Sequence, residues 1–190
     1  MDELPEFKPV KLHCTDSDCE NGEHCYRPKR GQWKKLGVGK CMHCGDTSVD
    51  MELTRKHRTA DIPAIFDELR KEHIRALHFG KPLDARAKRL IRRDGYDGIR
   101  AKARGRLKSR VGDPGIWDGR QTPFDGDVLN FAQHATATCC RKCMRYWYGF
   151  DTEGQLDGRK LDFCEEMLMA YLEDRETEIR AAETPEDKAA

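Results

Sequence analysis

The sequence is poor in apolar and aromatic residues, which make up only 37% and 8% of its 190 positions. Charged side chains account for 36%, so the core must be small relative to the surface and added cross-links would help stability. Long hydrophobic runs are missing. The longest, MLMAYL, has six residues, far below the roughly 18 that a membrane span requires, and no membrane association is expected. The chain begins MDELPEF, acidic rather than basic-then-apolar, so a soluble cytoplasmic protein is expected. A phosphate-cradling glycine loop and a helical H-E-x-x-H are also absent, and no complete acid/base pair or nucleophile triad is spelled out. Whether the protein is an enzyme is left open by these absences.

Net charge is nearly missing too, at +1, but it conceals two opposed blocks. From Lys81 to Val111, 12 Lys/Arg face three Asp; from Asp151 onward, 13 acids face five bases. The basic block has the character of a nucleic-acid surface in which Arg92, Arg93, Arg100, Arg104 and Lys108 contact phosphates. The alternative is internal pairing of the two blocks.

What the sequence does hold is nine cysteines. In a reducing compartment, clustered cysteines more often bind metal or do redox chemistry than form disulfides. Five lie between His13 and Gly45. Cys41 and Cys44 frame a C-x-x-C followed by glycine, the shape of a knuckle that turns backbone amides toward two thiolates on one ion. Four of Cys14, Cys19, Cys25, Cys41 and Cys44 are the expected ligands of a structural zinc, with His13, His24 or His43 able to substitute for one. Zinc would supply the folding free energy that this polar segment lacks. Residues 1–50 therefore read as a zinc-ribbon-like module, a small metal-stapled α+β segment. Its basic run at residues 27–30, with Trp33, Lys34 and Lys35, would suit phosphates and a stacked base.

Residues 51–180 read as a mainly α-helical domain. The first helix starts near Asp61 and carries Ile62, Ile65, Phe66, Leu69 and Leu77 on one stripe before Gly80. Asp84 caps a second helix that stops near Gly95, and Asp97 caps a third with Ile99, Ala103, Leu107 and Val111 on a narrow stripe. The glycine- and proline-rich stretch from Gly112 to Asp127 is a loop. A helix from Val128 to Tyr148 ends at Gly149. A long amphipathic helix follows from Leu161 to about Arg180, with Leu161, Cys164, Met167, Leu168, Tyr171, Leu172 and Ile179 facing inward. Cys164 reads as core. Residues 181–190 read as a disordered tail.

The stretch QHATATCCRKC at residues 133–143 supplies a second candidate group: His134, Cys139, Cys140 and Cys143. On an ideal helix Cys139 and Cys140 point about 100° apart. Either one of them is core, or the helix begins there and the preceding Thr-Ala-Thr is a turn. The group reads as a metal site, with zinc or an iron–sulfur cluster, as an activated thiol, or as close helix packing. The loop sequence DGRQTP adds Asp118, Arg120 and Gln121, which with His134 are the catalytic candidates of a pocket for an anionic or nucleobase-bearing ligand.

DGRQTP at 118–123, QHATATCCRKC at 133–143 and Trp147 resemble the signature of an uncharacterised bacterial and phage family, domain of unknown function number 4186. The resemblance spans roughly residues 85–175, and the cysteine pattern of residues 13–45 is similar to a segment that opens longer relatives. It implies membership and no known activity. The family usually places histidine where this chain has Tyr148, and GHPVF where it reads GDVLNF from Gly126. The leading reading is a zinc-binding protein associated with nucleic acid through its basic helical segment. The alternative is an enzyme acting on nucleotides or nucleic acid, its pocket formed by the DGRQTP loop and the His134/Cys140/Cys143 helix.

Overall fold

The computed structural model describes residues 13–28, 37–114, 121–151 and 153–181. Among these the chain is mostly helical, with isolated bridges Asp18–Glu23 and His24–Glu72 in place of strands. The hairpin expected of a zinc ribbon is therefore not seen in the described part of the amino-terminal segment. That segment does not stand apart, because Tyr26, Cys41 and Val49 belong to the same buried core as the helices.

A short helix α1, Met51–Thr54, is capped by Asp50, whose side chain accepts from the Leu53 amide at 2.9 Å. Helix α2, Ile62–Arg70, has Pro63 in its first turn and buries Ile62, Ile65, Phe66 and Leu69. Asp61 supplies no side-chain cap to α2 and pairs with Arg58 at 2.6 Å instead. The apolar stripe was expected to run on to Leu77 in one helix. The chain breaks at Lys71–Glu72 and restarts as α3, His73–Gly80, leaving Leu77 38% exposed while Ile74 and Phe79 are buried. The break has a physical cause. Glu72 is extended, with φ −96° and ψ 122°, because the neighbouring backbone pairs with His24: the His24 N–H donates to Lys71 O at 2.7 Å and the His73 N–H to His24 O at 2.8 Å.

Helix α4, Ala85–Leu107, opens under an Asp84 cap to Ala87 N at 2.7 Å and is interrupted at Gly95, as the two-helix reading anticipated. It buries Ala87, Ile91, Ile99, Ala103 and Leu107. Helix α5, Val128–Ala135, lies at the centre with every residue buried, packed against α3, α4 and α7. Its cap, Asp127, also clamps α4, accepting from both terminal nitrogens of Arg106 at 2.6 Å. Burial opposes the charge of Asp127, but the Arg106 bonds and the helix amides hold its carboxyl below the ordinary range.

The expected single helix from Val128 to Tyr148 is two. The Thr-Ala-Thr stretch is a turn, with Ala137 in the left-handed region at φ 54°, and α6 starts at Arg141 and runs to Tyr148. Gly149, at φ 67°, stops it as foreseen, a conformation in which a side chain is strained. Helices α7, Gly158–Asp174, and α8, Glu176–Arg180, bury the anticipated stripe from Leu161 to Ile179, Cys164 included.

The opposed charge blocks meet. Arg100 bonds Glu165 at 3.2 Å and also Glu166, and Arg104 bonds Asp162 at 2.5 Å and Glu165 at 3.2 Å. Such partly exposed pairs contribute about 0.2–1 kcal/mol each, so they orient α7 on α4 more than they hold it there. Among the described residues no helix is long and apolar enough to cross a membrane.

Candidate metal centres and an adjoining pocket

The C-x-x-C knuckle forms where the chain turns from Cys41 to Gly45, whose N–H donates to Cys41 O at 3.1 Å. The turn needs the φ of 84° that Gly45 adopts, a region disfavoured for residues with a Cβ. It aims the His43 N–H at Cys41 Sγ, 3.4 Å away. Burial opposes ionisation of Cys41, but the amides of Cys44, Cys25 and His43 outweigh it and draw the thiol down to about 6. The ligand atoms of Cys19, His24, Cys41 and Cys44 all fall within 4.8 Å of one another.

The spacing fits one ion. A tetrahedral centre with metal–sulfur bonds of about 2.3 Å sets its sulfurs about 3.8 Å apart, and a sulfur and an imidazole nitrogen about 3.6 Å apart. Cys19 Sγ and Cys41 Sγ are separated by 3.8 Å, and Cys44 Sγ and His24 Nδ1 by 3.3 Å. His24 Nε2 faces Asp46 Oδ1 at 3.5 Å. A proton on Nε2 leaves the Nδ1 lone pair toward the sulfurs, the carboxylate–imidazole arrangement that orients metal ligands.

Three of the five amino-terminal cysteines thus share a centre with a histidine. Successive residues of an extended chain point to opposite sides, so with His24 turned toward the sulfurs, Cys25 faces away. Its thiol lies 3.6 Å from Arg27 O and 3.9 Å from Cys14 O, and burial pushes it up to about 12. His43 bonds the Thr15 carbonyl through Nε2 at 3.0 Å.

The second group is deeper. Because Cys140 is extended, with φ −158° and ψ 159°, and caps α6, Cys139 and Cys140 escape the 100° divergence of a helix. Their sulfurs and that of Cys143 lie within 4.8 Å of one another, all three residues buried. Hydrogen bonds from Cys139 and Cys140 draw the Cys143 thiol well below its ordinary value, and Arg75 and Arg27 add to this against the cost of burial. Arg75 Nη2 donates to Cys143 Sγ at 3.1 Å and Nη1 to Cys139 Sγ at 3.6 Å, while Arg27 Nη1 reaches Cys143 Sγ at 3.9 Å. Behind Arg75 stands Glu72, which accepts from Arg75 Nε and the Trp147 indole at 3.0 Å each, and from the Tyr26 amide at 3.3 Å.

His134 lies beside the triad and outside it. Its Nε2 is 3.2 Å from Thr122 O and 3.1 Å from Pro123 O, two acceptors, so Nε2 carries the proton and Nδ1 presents a lone pair. Nδ1 is buried and has no partner. The ring stacks on Phe124 with centroids 4.5 Å apart and lies 4.7 Å from His78. Burial, then the neighbouring His78 and Arg75, lower His134 to about 3; burial lowers His78 to about 4. His134, His78 and Phe124 border a pocket of about 1170 Å³, with Cys14, Cys139 and Cys140 also in its wall and Lys81 and Asp125 among its lining residues.

Gln121, a catalytic candidate, is a clasp: its amide donates to Arg110 O and accepts from Arg141 N, both at 3.1 Å. Asp118 and Arg120 lie outside the described residues, as do Trp33, Lys34 and Lys35. Of the nucleic-acid candidates, Arg92 bonds Ile179 O and Ala181 O, Arg93 bonds Asp94, and Arg100 and Arg104 bond α7. Lys108 is exposed. For Arg100 and Arg104 this is the internal pairing that the charge blocks allowed.

The sequence reading missed Glu72, Arg75 and His78. Arg75 and His78, three apart in α3, are polar residues within an apolar stripe, and that was the available signal; Glu72 precedes the helix and carried none. A family model described as domain of unknown function (DUF4186) matches residues 63–173. The chain belongs to this family. The DUF4186 region contains the cysteine triad, Glu72, Arg75, His78 and His134, whereas Cys19, His24, Cys41 and Cys44 precede it. No solved structure matches the chain.

Proposed function

We propose that this DUF4186 protein binds two metal ions, a structural zinc at Cys19, His24, Cys41 and Cys44 and a second ion at Cys139, Cys140 and Cys143. The second ion would form part of the wall of a pocket that takes a nucleotide-like small ligand. The observation that carries this reading is the convergence of two separate donor sets, each within 4.8 Å. That closeness favours a mononuclear ion over an iron–sulfur cluster at the triad, because thiolates on different irons are held apart by the metal–metal separation.

The pocket supports a ligand role through His134. An unpartnered, desolvated nitrogen lone pair is costly to bury, and a ligand hydroxyl or amino group that displaced the groups covering Nδ1 and donated to it would offset that cost. The rings of Phe124, His134 and His78 line the pocket in mutual contact, beside Lys81, which is paired with Asp125. Nucleic-acid association through α4 finds less support, since four of its candidate arginines have partners within the chain.

Thermal-shift screening of nucleosides, nucleotides and bases against metal-loaded protein tests the pocket. A shift that His134→Ala abolishes while metal content stays constant supports it. No shift from any such compound, together with salt-dependent binding of DNA or RNA, would replace it with the nucleic-acid reading.

A further inference from the structure

A tetrahedral ion on Cys139, Cys140 and Cys143 wants a fourth ligand. Glu72 is an unsuitable source, since its two oxygens already serve Arg75, Trp147 and the Tyr26 amide. His134 is anchored by Nε2 to the loop carbonyls and is held between Phe124 and His78, and like Cys14 it lies outside the triad's group as it stands. One cysteine of the amino-terminal segment stands elsewhere than its neighbours. Cys14 shares the pocket wall with Cys139 and Cys140. Its carbonyl is 3.9 Å from Cys25 Sγ, Cys25 Sγ is 3.6 Å from Arg27 O, and the Arg27 guanidinium reaches Cys143 Sγ at 3.9 Å. Cys143, Arg75, Arg27 and Glu72 are the charges that act most on its thiol.

We infer that Cys14 is the fourth ligand of the second centre, so that the ion closes an all-thiolate shell from Cys14, Cys139, Cys140 and Cys143 and ties the amino-terminal segment to α6. This rests on the metal-binding reading proposed above. It also accounts for the surplus of five cysteines ahead of the family region: three join His24, one crosses to the triad, and Cys25 stays a buried thiol. Cys14 sits on a compact turn, with Asp16 N–H donating to His13 O at 3.1 Å and His13 N–H to Asp16 Oδ2 at 2.7 Å. His43 holds the next carbonyl, Thr15 O. The Cys14 sulfur lies outside the triad's 4.8 Å group, so closing the shell requires it to move toward the ion. A closed shell leaves no position for substrate on the ion, so the second centre would be structural.

Cobalt(II) substitution of the full chain tests this, since sulfur-to-cobalt charge-transfer absorption grows with each bound thiolate. Wild type should hold two ions per chain and show the intensity of seven thiolates. Cys14→Ala should lose the contribution of one thiolate and weaken retention of one ion against a chelator by about tenfold or more, while Cys25→Ala leaves spectrum and retention unchanged. Far-ultraviolet circular dichroism confirms that each variant is folded. Two ions in wild type with an unchanged Cys14→Ala spectrum would overturn the role of Cys14 alone. Fewer than two ions in wild type would overturn the two-centre reading and this inference with it.

Discussion

The guanidinium of Arg75 meets the thiol of Cys143 at 3.1 Å, with both residues fully buried. The same guanidinium holds Glu72 at 3.0 Å, so one cation joins the sulfur cluster to the residue at the break between α2 and α3. Burial opposes its charge, but Cys143, Cys139 and Glu72 more than compensate and keep Arg75 firmly protonated. The fold and the cluster are therefore coupled through one side chain.

Removing either partner should be costly. Arg75→Met leaves Glu72 buried without its cation, and a loss of about 3–5 kcal/mol in urea unfolding is expected. The double variant Glu72→Leu with Arg75→Met should lose less than the sum of the two single changes. Additive losses would show that the pair is not energetically coupled.

His78 gives stability a pH dependence with a definite sign. Its folded-state value, about 4, lies below the ordinary 6.5 because the imidazole is buried. Above 6.5 both folded and unfolded chains hold it neutral and it contributes nothing. As pH falls from about 6.5 toward about 4, the unfolded chain takes up the proton and the native state loses ground. His78→Gln should therefore gain stability relative to wild type across that window in paired unfolding curves. A difference curve that is flat from pH 7 to 4 would contradict this.

Reversing Arg100 and Arg104 to glutamate sets them against Asp162, Glu165 and Glu166. Because these pairs are partly exposed, the expected loss is on the order of 1–2 kcal/mol, and it should shrink when Glu165 and Glu166 are changed to arginine. Urea unfolding of the two variants measures it. Binding of DNA at low salt should be no weaker in the first variant than in wild type if pairing is the role of these residues.

Periodicity made α7 and α8 legible, because every position from Leu161 to Ile179 on the expected stripe is buried. It misplaced Leu77, because the stripe from Ile62 continues only if residues 71–72 are helical, and the backbone bridge to His24 forbids that. No local pattern carries such a partner, which is 48 residues away in sequence. The Thr-Ala-Thr turn was legible as one of two alternatives, since three sulfurs at positions 139, 140 and 143 cannot meet from an unbroken helix. The choice of His24 over Cys25 was not. Both are metal ligands by type, and only the extended conformation at that bridge decides which one faces the sulfurs.

On the proposed reading two separate donor sets each hold one ion. Elemental analysis of the purified protein, paired with its ultraviolet–visible spectrum, measures this directly. Two zinc ions per wild-type chain in a colourless solution are predicted, falling to one in Cys41→Ala with Cys44→Ala and to one in Cys139→Ala with Cys143→Ala. A single ion per wild-type chain, or a brown iron-containing protein, would contradict it.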